Sequence, residues 1–287
     1  MTSWILAARP KTLPAAIVPV VIGGALTRRL GAAVDYGLLA ATLCGAIFIQ
    51  IATNFFNDAI DARKGSDTTE RLGPVRATAS GALSERQVMG AGVVTLLLAG
   101  VCGLLLVKAA GWPILLVGLV SCFLAYGYTG GPLPLAYNGL GELFVIIFFG
   151  FVAVLGTVFV QLLEFPDEAW LAGLQVGLLS AVLISINNLR DREEDLRSNK
   201  RTLAVRLGIA GGRQVIIWEV VLAGVCAQIW PLLGHPKLIF TAAPICSLGV
   251  YICWKVLTVE PGRTYNRLLA LSALLLVSYT VVFVLCL

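Results

Sequence analysis

The sequence predicts an all-α integral membrane protein with nine transmembrane helices. Of its 287 residues, 58% are hydrophobic and only 13% are charged, whereas a typical soluble domain is about 25% charged. The apolar runs are continuous rather than alternating, which favours helices over the strands of a membrane barrel. Basic residues gather at alternate ends of these runs, as they do in multi-pass membrane proteins.

Nine apolar stretches have lengths close to the roughly 20 residues that a membrane-spanning helix needs. They cover residues 12–27, 36–57, 88–107, 111–128, 140–163, 169–189, 215–233, 238–254 and 268–287. The first stretch is short and contains Pro14 and Pro19, so its limits are the least well defined. Residues 3–8 precede it, and Trp4 there is typical of a short helix in the headgroup region.

The distribution of Lys and Arg predicts the orientation of these helices. Of the 21 basic residues, 17 fall on the side that includes the amino terminus. The other side has only Arg28, Arg29, Lys108 and Lys237. By the positive-inside rule, the amino terminus and the two long polar loops are cytoplasmic and the carboxyl terminus is outside. The net charge of +5 therefore reflects topology and does not require a nucleic-acid partner.

Cysteine and histidine offer little material for other kinds of site. All seven cysteines lie in apolar stretches without a CxxC pair, and His235 is the single histidine. A disulfide framework, a zinc site and a Ser-His-Asp triad are therefore not expected.

Two polar stretches, 54–81 and 187–208, contain eight of the chain's 16 acidic residues. The positive-inside rule accounts for the Lys and Arg residues of these two stretches, but not for their acidic residues. Each stretch has helical spacing that puts its acids and amides on one face. In the first the residues are Asn54, Asn57, Asp58 and Asp61, and in the second they are Asn187, Asn188, Asp191 and Asp195.

Oxygen-only ligands on one face suit a hard divalent cation, above all Mg²⁺, which proteins hold with one or two carboxylates plus substrate phosphates. The nearby bases suit the remaining oxygens of a diphosphate. They are Arg63, Lys64, Arg71 and Arg76 in the first stretch and Arg190, Arg197, Lys200 and Arg201 in the second. The two stretches together therefore predict a diphosphate site bridged by Mg²⁺.

The two stretches echo each other and lie four helices apart, on the same side of the membrane. This predicts one membrane domain with a weak parallel pseudo-repeat, 1–139 and 140–287, and two half-sites facing a central cavity. Glu142 and Glu219 near helix starts fit either a function in the membrane or simple pairing with the helix dipole. Tyr126 and Tyr128 fit either the interface or the cavity.

At these residues the chain resembles the UbiA superfamily of intramembrane aromatic prenyltransferases. The resemblance rests on Asn57-Asp58-Ala59-Ile60-Asp61 followed by Asp67, and on Asp191-Arg192-Glu193-Glu194-Asp195 followed by Lys200. The stretches 7–20, 64–81, 126–142 and 197–208 are similar to the menaquinone-pathway branch, whose acceptor is 1,4-dihydroxy-2-naphthoate. The last three helices match only in hydropathy and number.

The resemblance implies nine helices around a cavity and a transferase of alkyl groups other than methyl. It implies two Mg²⁺ ions on a polyprenyl diphosphate, with Asp58, Asp61, Asp191 and Asp195 as catalytic ligands. Asn57 and Asp67 would join the first ion, while Arg63, Lys64, Arg76, Lys200 and Arg201 would bind the diphosphate. The cavity would include Asn54, Tyr126, Tyr128, Asn187 and Asn188. Many members carry a base after the fourth helix, but segment 130–139 contains no Lys or Arg.

The implied reaction is Mg²⁺-assisted ionisation of the polyprenyl diphosphate and attack by the ring of a small aromatic acid. Loss of CO2 and a proton would restore aromaticity, in a site that excludes water within a bacterial-type inner membrane. Related acceptors, namely 4-hydroxybenzoate, homogentisate, haem or a glycerol phosphate, remain open. A secondary transporter is the alternative from another class, but its acids would lie near the bilayer midplane. A phosphatidyltransferase is disfavoured because its DGxxDGxxAR pattern is absent.

Overall fold

A computed structural model describes residues 2–65, 72–132 and 134–287, and its regular elements in these ranges are helices. The helices are α1 Thr2–Ala8, α2 Pro14–Arg29, α3 Tyr36–Arg63, α4 Glu85–Ala110, α5 Trp112–Gly127, α6 Gly141–Leu162, α7 Asp167–Arg190, α8 Arg192–Arg197, α9 Leu203–Ile229, α10 Pro236–Thr258 and α11 Tyr265–Cys286. Short 3₁₀ turns include Pro10–Thr12, Leu135–Tyr137 and Trp230–Leu233. The all-helical prediction is confirmed.

Seven helices in the described ranges are long and apolar enough to cross a membrane, namely α3, α4, α6, α7, α9 with the turn that follows it, α10 and α11. The pair Ser3–Thr12 and Pro14–Arg29 is bent by 45° and has the length and composition of either an eighth, broken span or a re-entrant segment. The chain is therefore a multi-pass membrane protein. The one remaining predicted span, residues 111–128, corresponds to α5. Its 16 residues extend about 24 Å, which is less than the roughly 30 Å of a bilayer core.

Helix α3 extends beyond the end of its apolar run, because it continues from Asn57 to Arg63. Asn57, Asp58 and Asp61 consequently lie on its last two turns. Helix α7 ends at Arg190, and Asp191 (φ −91°, ψ 6°) separates it from α8. The second motif is therefore divided between a helix end, a helix junction and a short helix, rather than lying on one helical face.

Local sequence explains several of these boundaries. Asp35 accepts hydrogen bonds from the N–H groups of Gly37 and Leu38 and caps α3. Ser84 and Gln87 form a capping box at the start of α4. Helix α9 begins at Leu203 rather than at residue 215, and it breaks at Gly208, whose φ of 71° glycine adopts readily.

Helix α7 forms the centre of the bundle, and 72% of an 18-residue apolar stretch within it is buried. It packs against α6, α9 and α11. The contact with α6 is close because Gly150 lies against Gly173 and Gly177, and α6 contains a π-helical segment at Ile146–Val152. A cavity of about 1680 Å³ lies beside α6 and α7, lined by residues of α1, α2, α3, α4, α5, α6 and α7 and by the start of α11.

Candidate active site

The first motif occupies the end of α3 and binds the chain that returns after it. The Asp58 carboxylate is 1% exposed and accepts hydrogen bonds from the N–H groups of Ala77, at 3.2 Å, and Thr78, at 2.8 Å. The Asn57 side-chain oxygen accepts a hydrogen bond from the Thr129 hydroxyl. Both side chains therefore anchor a loop as well as lying at the predicted metal site.

Asp61 lies one turn further along α3 and contacts side chains from three other parts of the chain. Its Oδ1 accepts a hydrogen bond from the Tyr137 hydroxyl at 2.9 Å. Its Oδ2 lies 3.9 Å from the Arg76 guanidinium and 3.9 Å from Lys200 Nζ. A buried carboxylate is retained at low cost only when it is paired in this way.

The second motif is held by a buried arginine. Arg190 donates two hydrogen bonds of 2.6 Å to the two oxygens of Asp191. It also donates to Asn187, at 2.9 Å, and to Asn266 of α11, at 2.7 Å. The Asn266 amide in turn donates to the Leu72 carbonyl at 3.0 Å. The last helix, which carried no recognisable motif, thus contributes a residue that orients the second motif.

Lys200 brings the two motifs together. Its Nζ lies 3.9 Å from Asp61 Oδ2 and 3.7 Å from Asp195 Oδ1, and its side chain is 17% exposed. Its backbone N–H also donates to the Asp195 carbonyl at 2.8 Å. One ammonium group therefore occupies the space between an acid of each motif, which identifies that space as favourable for positive charge.

The other predicted phosphate-binding bases fall into two groups. Lys64 donates to the Thr129 carbonyl at 2.8 Å and lies 4.0 Å from the centre of the Tyr137 ring, while Arg76 is buried and lines the cavity. Partial desolvation lowers the pKa of Lys64, opposed by the charge of Asp61. In contrast, Arg63 is exposed and paired with Glu85 at 3.3 Å, and Arg201 is also exposed.

The predicted cavity residues are not all placed alike. Asn54, Tyr128 and Asn187 line the cavity, together with Arg9, Arg76 and Arg190. Asn188 instead donates to Glu142 at 2.9 Å, and the Tyr126 ring packs edge-on against Phe56. Glu219 is buried and accepts from Ser185 at 2.7 Å. Asp67 and Arg71 lie outside the described residues.

The cavity continues from this polar end into the apolar part of the bundle. Asn57 and Thr42 of α3 both line it, and they are about 22 Å apart along the helix. Its walls include Leu104, Phe144 and Phe148, so they suit a long hydrocarbon chain. An amphiphile with a charged head and an apolar tail fits this combination.

Comparisons with known proteins show which family this chain resembles. The family described as "UbiA prenyltransferase family" matches residues 16–275. The 1,4-dihydroxy-2-naphthoate octaprenyltransferase of Mycobacterium tuberculosis is 38% identical over 247 residues, covering 86% of this chain and 81% of that protein. The Escherichia coli protein of the same name is 34% identical over 236 residues, covering 80% and 76%.

Solved structures show the same fold at lower identity. A UbiA homolog from Archaeoglobus fulgidus bound to DMAPP and Mg²⁺ has a TM-score of 0.67 and 14% identity, covering 99% of this chain and all of that one. The apo structure of a UbiA homolog from Aeropyrum pernix K1 has a TM-score of 0.69 and 17% identity, covering 94% and 97%.

Proposed function

Since this chain belongs to the UbiA prenyltransferase family, we propose that it transfers a polyprenyl group to 1,4-dihydroxy-2-naphthoate. The donor is a polyprenyl diphosphate, and the acceptor's carboxylate leaves as CO2 to give demethylmenaquinol, an intermediate of menaquinone biosynthesis. Relatives with this activity in their names support the acceptor. The observation that carries the proposal is the meeting of the two Asp motifs at Lys200, beside the polar end of a long apolar cavity.

We infer two Mg²⁺ ions from the oxygen donors of the two motifs. No group of three or more His, Cys, Asp or Glu side chains among the described residues is placed to hold a metal ion. Mg²⁺ commonly takes only one or two protein carboxylates and completes its shell with phosphate oxygens and water. We therefore assign Asn57, Asp58 and Asp61 to one ion, together with Asp67, which lies outside the described residues, and Asp191 and Asp195 to the other.

The cationic side chains around Asp61 suit the leaving group. Bound Mg²⁺ would supply neutralisation of the charge that develops on the diphosphate when its bond to the allylic carbon breaks. Lys64, Arg76 and Lys200 lie where they can donate hydrogen bonds to the remaining oxygens. Arg63 and Arg201 are more exposed and would act at the rim of the site.

The chain also protects and orients the reacting groups. The apolar cavity walls exclude water, which would otherwise capture the allylic cation. Asn54, Tyr128 and Asn187 offer hydrogen-bonding groups at the polar end, where the acceptor ring must approach the ionising carbon. The excess of Lys and Arg at this end supports a site on the cytoplasmic side of a bacterial inner membrane, with the carboxyl terminus outside, as part of the proposal.

The test is a product assay on the purified chain in lipid vesicles. With octaprenyl diphosphate and 1,4-dihydroxy-2-naphthoate we expect demethylmenaquinol by mass, dependent on Mg²⁺ and reduced at least about 100-fold in Asp61→Asn or Asp195→Asn. Product from 4-hydroxybenzoate or homogentisate alone would instead assign a related acceptor. If no acceptor yields a prenylated product, the proposed function is wrong.

A further inference from the structure

Tyr137 lies at the centre of the candidate site, in the segment 130–139 that contains no Lys or Arg. Its ring centre is 4.0 Å from Lys64 Nζ and 5.5 Å from Lys200 Nζ. Its hydroxyl donates to Asp61 at 2.9 Å, and its backbone carbonyl accepts from the N–H of Arg201 at 3.2 Å. One residue thus contacts the end of the first motif, two cationic side chains and the loop that follows the second motif.

We propose that Tyr137 is a positioning residue that sets two lysines for the diphosphate and one oxygen of Asp61 for a metal ion. The inference rests on the proposed function. Segment 130–139 has no base of its own. The positive charge next to Tyr137 comes instead from Lys64 and Lys200, two lysines from other parts of the chain that both contact the Tyr137 ring.

The ring acts on the lysines through its electron-rich face. Two ammonium groups that approach one ligand repel each other. Lys200 is balanced by Asp61 and Asp195, whereas the described contacts of Lys64 are with the neutral Tyr137 ring and the Thr129 carbonyl. A cation–π contact attracts an ammonium without cancelling its charge. Lys64 is additionally fixed by the Thr129 carbonyl at 2.8 Å, so the ring holds it between two neutral partners.

The hydroxyl acts on Asp61. Since it donates to Oδ1 at 2.9 Å, it fixes the rotation of the carboxylate and leaves Oδ2 on the side of Arg76 and Lys200. That is the side on which positive charge from both motifs is gathered. A hydrogen bond that orients a ligating carboxylate commonly affects metal affinity by 10- to 100-fold.

The experiment separates the ring from the hydroxyl with Tyr137→Phe and Tyr137→Leu. The matched control is Tyr251→Leu, because Lys255 Nζ lies 5.7 Å from the Tyr251 ring in another part of the chain. Binding of inorganic pyrophosphate in the presence of Mg²⁺ is measured by calorimetry, and KM and kcat are measured for donor and acceptor.

We expect Tyr137→Leu to weaken pyrophosphate binding and to raise the donor KM by about tenfold, the combined effect of two cation–π contacts. The acceptor KM should stay within about twofold. Tyr137→Phe should keep pyrophosphate affinity at saturating Mg²⁺ but require several-fold more Mg²⁺ for half-maximal binding. Tyr251→Leu should match the wild type in every measurement.

Wild-type pyrophosphate binding in Tyr137→Leu would overturn the role of the ring, and wild-type Mg²⁺ dependence in Tyr137→Phe would overturn that of the hydroxyl. Equal increases in donor and acceptor KM would also contradict the proposal. If Tyr137→Leu does not melt cooperatively, Tyr137→Met replaces it. Loss of pyrophosphate affinity in a chain that prenylates no acceptor would refute the proposed function and leave the inference standing.

Discussion

Replacing Lys200 by methionine removes one charge from the point where the two motifs meet, while keeping a side chain of similar length. The ammonium lies 3.9 Å from Asp61 and 3.7 Å from Asp195. At an effective dielectric constant of about 20, each pair attracts by about 4 kcal/mol, much of which repays the desolvation of the charges. The variant should be destabilised by up to about 3–5 kcal/mol, because Asp61 and Asp195 lose their shared cation, although Asp61 keeps Arg76 at 3.9 Å.

The consequences for two ligands have opposite signs. A hydrogen bond to a charged group contributes about 1.5–3 kcal/mol, so the donor KM should rise by about 10- to 150-fold. Mg²⁺ alone should bind more tightly, by about tenfold, because no ammonium competes for Asp61 and Asp195. A general loss of structure would weaken both ligands together.

Calorimetry with Mg²⁺ alone and steady-state kinetics with octaprenyl diphosphate provide the two measurements. Lys255→Met is the matched control, since Lys255 lies 4.3 Å from the Trp254 ring and away from both motifs. An unchanged donor KM would refute the assignment of Lys200 to the diphosphate. Weaker binding of Mg²⁺ alone would refute the competition that the distances imply.

Three further predictions address the core, the cavity and the pH dependence. Gln175→Leu removes three buried hydrogen bonds, two accepted by Gln175 Oε1 and one donated to a backbone carbonyl. At about 0.6–1.7 kcal/mol for each bond, the free energy of unfolding should fall by about 2–5 kcal/mol, measured as a lower melting temperature. Gly156 lines the cavity, and an added Cβ there enters open space, so Gly156→Leu should narrow the room for a long chain. Transfer from octaprenyl diphosphate should slow at least about tenfold, while transfer from geranyl diphosphate stays nearly unaffected. Gly90→Leu at an exposed glycine is the control, and equal slowing with both donors would contradict the prediction. Because the pKa of Lys64 is lowered, this lysine loses its charge at a lower pH than an ordinary lysine. The donor KM should therefore rise with pH on the alkaline side, and Lys64→Arg should move this rise to higher pH. An unchanged pH profile in Lys64→Arg would show that Lys64 does not cause the rise in KM.

Hydropathy and charge were sufficient to predict the helical architecture, because a bilayer forces long apolar runs into helices. Helix ends were less predictable. The apolar run of α3 stops near Asn57, yet the helix continues to Arg63, since hydropathy records solvation rather than backbone hydrogen bonding. The break in α9 at Gly208 depends on one left-handed residue, and a glycine alone does not show which conformation it adopts.

The Asp motifs were recognisable because helical spacing is local, whereas their partners lie far away in sequence. Tyr137 reaches Asp61, and Asn266 reaches Arg190, each across 76 positions. Neither residue stands out in its own segment. Tyr137 lies in a turn rich in Gly and Pro, and Asn266 lies at the start of a helix without a motif. Only the packing of α11 against the centre of the bundle shows that the last helix takes part.

The charges of the candidate site explain how four aspartates can be buried together, and they predict how ligands bind. Among the described residues, these four acids lie near four bases, and the eight residues are Asp58, Asp61, Asp191, Asp195, Lys64, Arg76, Arg190 and Lys200. The formal charges of these eight residues cancel, and Arg9 adds one positive charge at the cavity wall. Mg²⁺ alone would leave the site positive, and a diphosphate with roughly three negative charges would leave it negative.

A diphosphate with one Mg²⁺ has a net charge of about −1, and with two Mg²⁺ a net charge of about +1. Metal and diphosphate together therefore change the charge of the site far less than either does alone. Their binding should therefore be strongly cooperative, and linkage requires the coupling to be mutual. We expect inorganic pyrophosphate to tighten Mg²⁺ binding at least about tenfold, and Mg²⁺ to tighten pyrophosphate by the same factor. Independent affinities in calorimetric titrations would mean that the eight charges do not act as one neutral set.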